Sequence, residues 1–268
     1  MKKFTKIALS CALISSVSFA MSQGNGGSHA SSEVRGSVIK NQVSMEKIQT
    51  SKNSQAVIGS TDVKKSAIQT SKINNEGRTY NVKVGKNAGA QIGSVKVDAS
   101  VIQKSKIDNY SDAQHIKTGK NSRAQIGTVE IQKSSVKSST VSNDSQAYHI
   151  KTGKNSAAVI GSTNINKSFV KASKIKNESA AIDVKTSKNS VAVIGSTDIK
   201  KSDVQRSKIS NKSYAGEVRV GKNAKAQIGS IEIQKSNVYN STIKNKSCAS
   251  NVKVGKNSSL EAGSINIK

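Results

Sequence analysis

The sequence predicts an all-β protein, a β-solenoid (β-helix-like) of seven 34-residue repeats, and three observations carry that prediction. First, the segment Gly85-Lys86-Asn87-Ala88-Gly89-Ala90-Gln91-Ile92-Gly93-Ser94 returns with small changes every 34 residues. Second, the core-like positions are Val and Ile, with no Trp, no Pro and a single leucine, Leu260, beyond the first 20 residues. That composition favours strands over the tetratricopeptide helical hairpin, which shares this period. Third, aliphatic residues follow small or branched ones at a spacing of two, as in Ala90/Ile92, Val95/Val97, Ser100/Ile102 and Ser105/Ile107. Two inward residues flanking one outward residue make a short strand, and the two residues left over in each five-residue step make a corner.

Met1 to Ala20 carries Lys2, Lys3 and Lys6 ahead of an apolar run from Ile7 to Phe19, with Ser18 and Ala20 at the end. It reads as a removable secretory signal, since the run is shorter than the roughly 20 residues a bilayer span needs. Residues 21–30, with Gly24, Gly26 and Gly27, read as a flexible leader. The repeat phase covers 31–268, seven times 34 residues, with no insertion. Its last residues are ordinary repeat sequence, so no capping unit is expected.

Stacking the repeats turns equivalent positions into columns. Ile39, Ile73, Ile107, Val141, Ile175, Ile209 and Ile243 give an aliphatic ladder, and Ser32, Ser66, Ser100, Ser134, Ser168, Ser202 and Ser236 a serine ladder. Two asparagine columns are expected to hydrogen-bond to their own kind at bends. One is Asn53, Asn87, Asn121, Asn155, Asn189, Asn223 and Asn257, the structural ladder of the repeated motif; the other is Asn41, Asn75, Asn109, Asn143, Asn177, Asn211 and Asn245. The spacing favours two rungs per repeat, because one ring of 34 residues should enclose more interior than so few aliphatic side chains fill. About fourteen rungs then give a rod about 65 Å long.

Lys and Arg number 43 against 16 acids, and removal of three lysines with the signal leaves a net charge of 27 − 3 = +24. Such a field attracts polyanions and holds monomers apart at low salt. The lysines fall in rows: Lys52, Lys86, Lys120, Lys154, Lys188, Lys222 and Lys256 share one phase, and Lys83, Lys117, Lys151, Lys185, Arg219 and Lys253 another. They are candidates for binding extracellular DNA, anionic polysaccharide or lipopolysaccharide, and equally suit a solvated face that resists wrong edge pairing. Tyr80, Tyr110, Tyr148, Tyr214 and Tyr239 do not fall in one column, so base stacking finds no platform and any nucleic-acid contact is without sequence preference.

Enzyme chemistry finds no support. Asp62 and Asp198 recur in phase without a partnered acid or base, and no nucleophile elbow or phosphate loop is present. No cofactor is implied. His115 and His149 lie one repeat apart and are placed to stack, but two imidazoles make a poor metal site. After export only Cys248 remains, at a variable and exposed phase, so no intramolecular disulfide forms.

The segment Ser179-Ala180-Ala181-Ile182-Asp183-Val184-Lys185-Thr186-Ser187-Lys188-Asn189-Ser190-Val191-Ala192 resembles the repeats of curlins, the secreted amyloid subunits of bacterial biofilms. The period here is longer, and Lys or aliphatic residues replace that family's glutamines beside the bend. The five-residue steps look like pentapeptide-repeat proteins, and Asn189-Ser190-Val191-Ala192-Val193-Ile194-Gly195 like the head repeats of trimeric autotransporter adhesins. The curlin resemblance implies self-association by strand ladders. The expected function is an exported structural subunit, secreted or at the cell surface, that stacks end to end into an amyloid or biofilm-matrix fibre, with a secretion or nucleation partner. The alternative is a monomeric basic rod that binds polyanions or acts as an adhesin.

Overall fold

The computed structural model describes residues 32–47, 55–83, 89–117, 123–151, 157–185, 189, 191–221, 223, 225–255, 257 and 259–268. Residues 1–20, expected to be a signal, and 21–30, expected to be a leader, lie outside them. The described chain is a parallel β-solenoid with three sheets running its length. A short sheet holds seven strands of three or four residues, from Ser32–Arg35 to Asn237–Tyr239. One broad sheet holds the strands Val38–Glu46 through Thr242–Ser250, and the other those from Gln55–Lys64 to Ser264–Ile267.

Every ladder pairs a residue with the one 34 positions on: Val136 with Val170, Asn143 with Asn177, Ala158 with Ala192. Each repeat is therefore one rung, not the two that the aliphatic content suggested, and seven rungs at about 4.8 Å span about 30 Å rather than 65 Å. The volume argument fails because the ring is flat. Where the two broad sheets face each other, a Cβ added at Gly127 would lie 2.1 Å from Ser145 Oγ and 2.8 Å from Ser111 Oγ. Beyond Val43 in the first rung, the glycine and serine columns of this waist hold no aliphatic side chain among the described residues. It divides the core into two small compartments, one around Ile131, Val136 and Val141, the other around Ala124, Ile126, Ala147 and Ile150. Both are within reach of the few Val, Ile and Ala residues that each repeat supplies.

Two further positions differ from the sequence reading. Gly93-Ser94 is not a corner; the strand Gly89–Asp98 runs through it, with four successive buried residues from Ile92 to Val95. Its ladder to Arg123–Gln132 omits the Ile92/Ile126 pair with the register unchanged on either side, so the change of phase is a kink shared by both strands, and it recurs in the neighbouring rungs. The column containing Asn143 is not at a bend either. It lies in mid-strand, 0–2% exposed from Asn75 to Asn211, inside the waist. Asn143 Nδ2 donates to Asn177 Oδ1 at 2.8 Å and reaches across to the carbonyl of Ser162 at 3.2 Å, tying one broad sheet to the other.

The corners flanking the short sheet are built from a residue at positive φ followed by serine. Lys133, before Ser134, has φ 48°, and Ser138, before Ser139, has φ 50°. Such a backbone costs an L-residue about 1–2 kcal/mol, and here the cost is met by position. Each left-handed amide donates to the next rung, as Lys133 N does to the Asn166 carbonyl at 3.0 Å. The serine that follows locks the turn. Ser173 Oγ donates to the Lys171 carbonyl at 2.8 Å and accepts the Ser139 amide at 3.2 Å, while the Ser173 amide donates to Ser207 Oγ at 3.2 Å. The same pattern holds in the Ser100 column, where the Ser100 amide donates to Ser134 Oγ at 3.2 Å.

Serines of the waist do something else. The hydroxyls of Ser145 and Ser179 have no hydrogen-bond partner and serve as small spacers against the glycine column. Ser173→Ala therefore strands a buried amide and should cost about 1–3 kcal/mol in urea unfolding, whereas Ser179→Ala, six residues away, should be neutral or stabilising. Equal losses for both would show that the corner hydroxyl is not what holds the rungs in register.

Candidate functional surfaces

The polyanion candidates Lys52, Lys86, Lys120, Lys154, Lys188, Lys222 and Lys256 all lie outside the described residues. Of the first asparagine column, Asn53, Asn87, Asn121 and Asn155 do too. Asn189, Asn223 and Asn257 are described, at φ 59–61°, and Asn257 Nδ2 donates to Asn223 Oδ1 at 3.4 Å. That end of the ladder is thus a left-handed corner, a conformation asparagine tolerates better than most residues. The second row is in place. Lys83, Lys117 and Lys151 bridge in register, and Lys185, Arg219 and Lys253 continue the column along the narrow edge opposite the short sheet. Lys185 is paired with Asp183 at 3.1 Å.

The broad faces carry mixed charge. Most of their ion pairs join residues i and i+2, which share a face of one strand, as in Lys106–Asp108 at 2.8 Å, Lys176–Glu178 at 2.7 Å and Lys200–Asp198 at 2.8 Å. The Asp198 partner raises the Lys200 ammonium above its usual value, through a hydrogen bond first. One juxtaposition is unfavourable: Asp144 stands in register with Glu178. Burial first, then the Glu178 charge, pushes the Asp144 carboxyl up from its ordinary range. Burial likewise raises Asp112 and the phenol of Tyr110.

The short sheet and its two corners are different in kind. Over 31–38, 65–72, 99–106, 133–140, 167–174, 201–208 and 235–242 the chain places fourteen Lys or Arg and only two acids, Glu33 and Asp203; the other fourteen of the sixteen acids lie elsewhere. Sequence reading missed this edge. Its signal was there, in the phase shared by Lys65, Lys133, Lys167, Lys201 and Lys235. It shows as one surface only when the fold sets several such columns side by side.

His115 and His149 stack as expected, with ring centroids 4.7 Å apart and planes within 8°, and Tyr80 meets His115 edge-on at 5.1 Å. Among the described residues no group of three potential metal ligands occurs, and no helix is long and apolar enough to cross a membrane. Cys248 is free and exposed. A depression of about 370 Å³ opens at the first rung, lined by Val34, Ile39, Val63 and Ile68 with Asp62, Lys64 and Ser66. It is the end of the aliphatic compartment rather than a pocket in a wall.

No family model matches the chain, and no curated protein matches it. A solved structure to which it is similar is HetL, a pentapeptide repeat protein involved in heterocyst differentiation regulation from the cyanobacterium Nostoc sp. strain PCC 7120. The identity is 8% over 79% of this chain and 87% of that one, with a TM-score of 0.17.

The Asp144–Glu178 contact yields a pH prediction. A carboxyl whose folded-state value is raised favours folding while it is protonated, and this contribution is lost as pH rises through that value. Asp144→Asn should therefore stabilise the protein at about pH 7 by about 0.2–1 kcal/mol, the size of a cross-strand charge pair, and the gain should vanish in acid. Urea midpoints of the two proteins across that pH range provide the check.

Proposed function

We propose that the chain is an exported structural subunit that stacks end to end into an extracellular fibre. The observation that carries this reading is the polarity of the ladders and the hydrogen-bonding groups left open on the first and last described rungs. Asparagine ladders run one way: Asn41 Nδ2 donates to Asn75 Oδ1, and Asn211 Nδ2 to Asn245 Oδ1. Among the described residues nothing donates to Asn41 Oδ1, and the Ser241 amide has no acceptor. A second copy placed one rung beyond the last offers Asn41 to Asn245 and Ser37 Oγ to the Ser241 amide, in the geometry repeated throughout the solenoid.

Apolar groups match in the same register. The depression of the first rung is lined by Val34, Ile39 and Val63, and the equivalent residues of the last rung are Val238, Ile243 and Ile267. Ile267 is 66% exposed and Ile265 48%. Contact between unlike ends does not close into a ring and so propagates as a filament. The plan of strand, bend and strand shared with curlin repeats supports the same reading, and residues 1–20 supply an export signal.

Like charges oppose the joint, since Lys244 would face Lys40 and Lys268 face Lys64 of the next copy. Growth should therefore quicken with salt. Purified residues 21–268 should form unbranched filaments faster when seeded, with a strand spacing of about 4.8 Å and a subunit repeat of about 34 Å. Ile267→Asp, at an exposed site, should leave the monomer folded and arrest elongation. A sample that stays monodisperse with seeds and high salt overturns the reading.

A further inference from the structure

We infer that the short-sheet edge is a docking surface for a linear, single-chain anionic polysaccharide. The inference stands apart from the fibre proposal, because every residue it uses lies within one chain. Lys133, Lys167, Lys201 and Lys235 occupy the same corner on four successive rungs, all exposed, and none is in an ion pair. Each has φ between 48° and 51°, a left-handed backbone that favours Gly or Asn. Lysine holds this column in five of its six described members, Ala99 being the exception. Other left-handed columns also depart from Gly and Asn, as at Thr70, Ser138, Ala172 and Arg206, but their residues vary, whereas this one keeps the same exposed cation at nearly every rung, which points to a use for the charge.

The neighbouring columns add to the row. Lys137 and Lys171 project from the short strands themselves, Lys137 lying 6.0 Å from the Phe169 ring. Arg206 and Lys208 extend the positive strip around the second corner, where Lys174 stands in register with Lys208. The acid on this stretch, Asp203, accepts from Gln205 at 3.1 Å and is in no ion pair.

Geometry selects among polyanions. In-register rungs place the four lysine corners in one row at a pitch of about 4.8 Å. A flexible single chain with carboxylates or sulfates along it can follow that row over the four successive lysine rungs, about 14 Å. A DNA duplex cannot. Its strands complete a turn in about 34 Å, so each phosphate backbone crosses a straight row and leaves it. A flat edge also offers nothing to enter a groove, and the two aromatic side chains of the short sheet, Phe169 and Tyr239, stand in different columns and so make no continuous stacking platform for an unwound strand.

The test uses polygalacturonate as the probe and a short DNA duplex as the competitor, at protein concentrations where light scattering shows a monomer. Replacing Lys133, Lys167, Lys201 and Lys235 with Asn keeps residues suited to the left-handed corner and removes four charges. Replacing Lys40, Lys212, Lys244 and Lys246 with Gln removes four from a broad face. The corner variant should bind polygalacturonate on the order of tenfold more weakly at about 0.1 M salt, with its salt slope reduced by at most about 3. The broad-face variant should stay within about threefold of the parent, and the four corner lysines changed to Arg should retain binding. Equal losses in both Lys-to-neutral variants, tighter binding of the duplex per charge, or no binding of polygalacturonate at that salt would each overturn the inference.

Discussion

Everything in this fold depends on side chains that hydrogen-bond to their own equivalents one repeat away. Parallel backbone pairing by itself tolerates slippage, because the ladder bonds are the same at every residue. The serine and asparagine columns remove that freedom. A slip of one residue would leave the Asn143 amide without the Asn177 oxygen and the Ser139 amide without Ser173 Oγ, at a cost of about 1–3 kcal/mol for each buried group left unpaired. Only a shift by a whole repeat restores every partner. The 34-residue period is therefore a register device as much as a packing unit.

The same ladders let the chain do without bulky core residues. Small domains that lack aromatic and leucine side chains rarely bury enough apolar surface to be stable. Here the coil is pressed flat until glycine meets serine at the waist, and the two compartments left are filled by side chains no larger than isoleucine. Stability then grows by addition of like rungs, as in other repeat proteins, rather than by enlargement of one core. The left-handed corners fit this scheme. Their amides would be unpaired in a monomeric turn, but each finds the carbonyl of the next rung, so the strain is repeated and compensated at the same period.

How much of this the sequence disclosed can be argued column by column. Period, parallel stacking and the identity of the inward aliphatic residues were legible, because all three follow from counting. The histidine stack was legible for the same reason. The number of rungs per repeat was not: the ring's shape is set by the approach of Gly127 to Ser145, on two broad-sheet strands that face each other across the waist. The Asn143 column was correctly read as a ladder and wrongly placed at a bend, since asparagine in mid-strand runs against local propensity and is tolerated only where it bridges two sheets. The cationic edge was missed for a related reason. Counting finds each lysine row separately, and only the fold tells which rows adjoin and which acids are kept away from them.

Net charge and open ladders bear on one another. In-register stacking sets like charges about 4.8 Å apart along every lysine column, and the repulsion is largest where the solvent screens least. Within a chain this repulsion is opposed by the serine and asparagine ladders of the same rung. At the proposed joint between chains it would act with only one rung's worth of contacts against it. A polyanion laid along the short-sheet edge lowers the repulsion at both levels, and it does so more for two stacked copies than for one, because a single chain of the polymer then spans the joint. By linkage, whatever the ligand gains from the second copy, the joint gains from the ligand. Polymerisation and polyanion binding are in that sense not rival readings of the basic charge: the charge that opposes assembly in dilute salt is the one through which a matrix polymer would promote it.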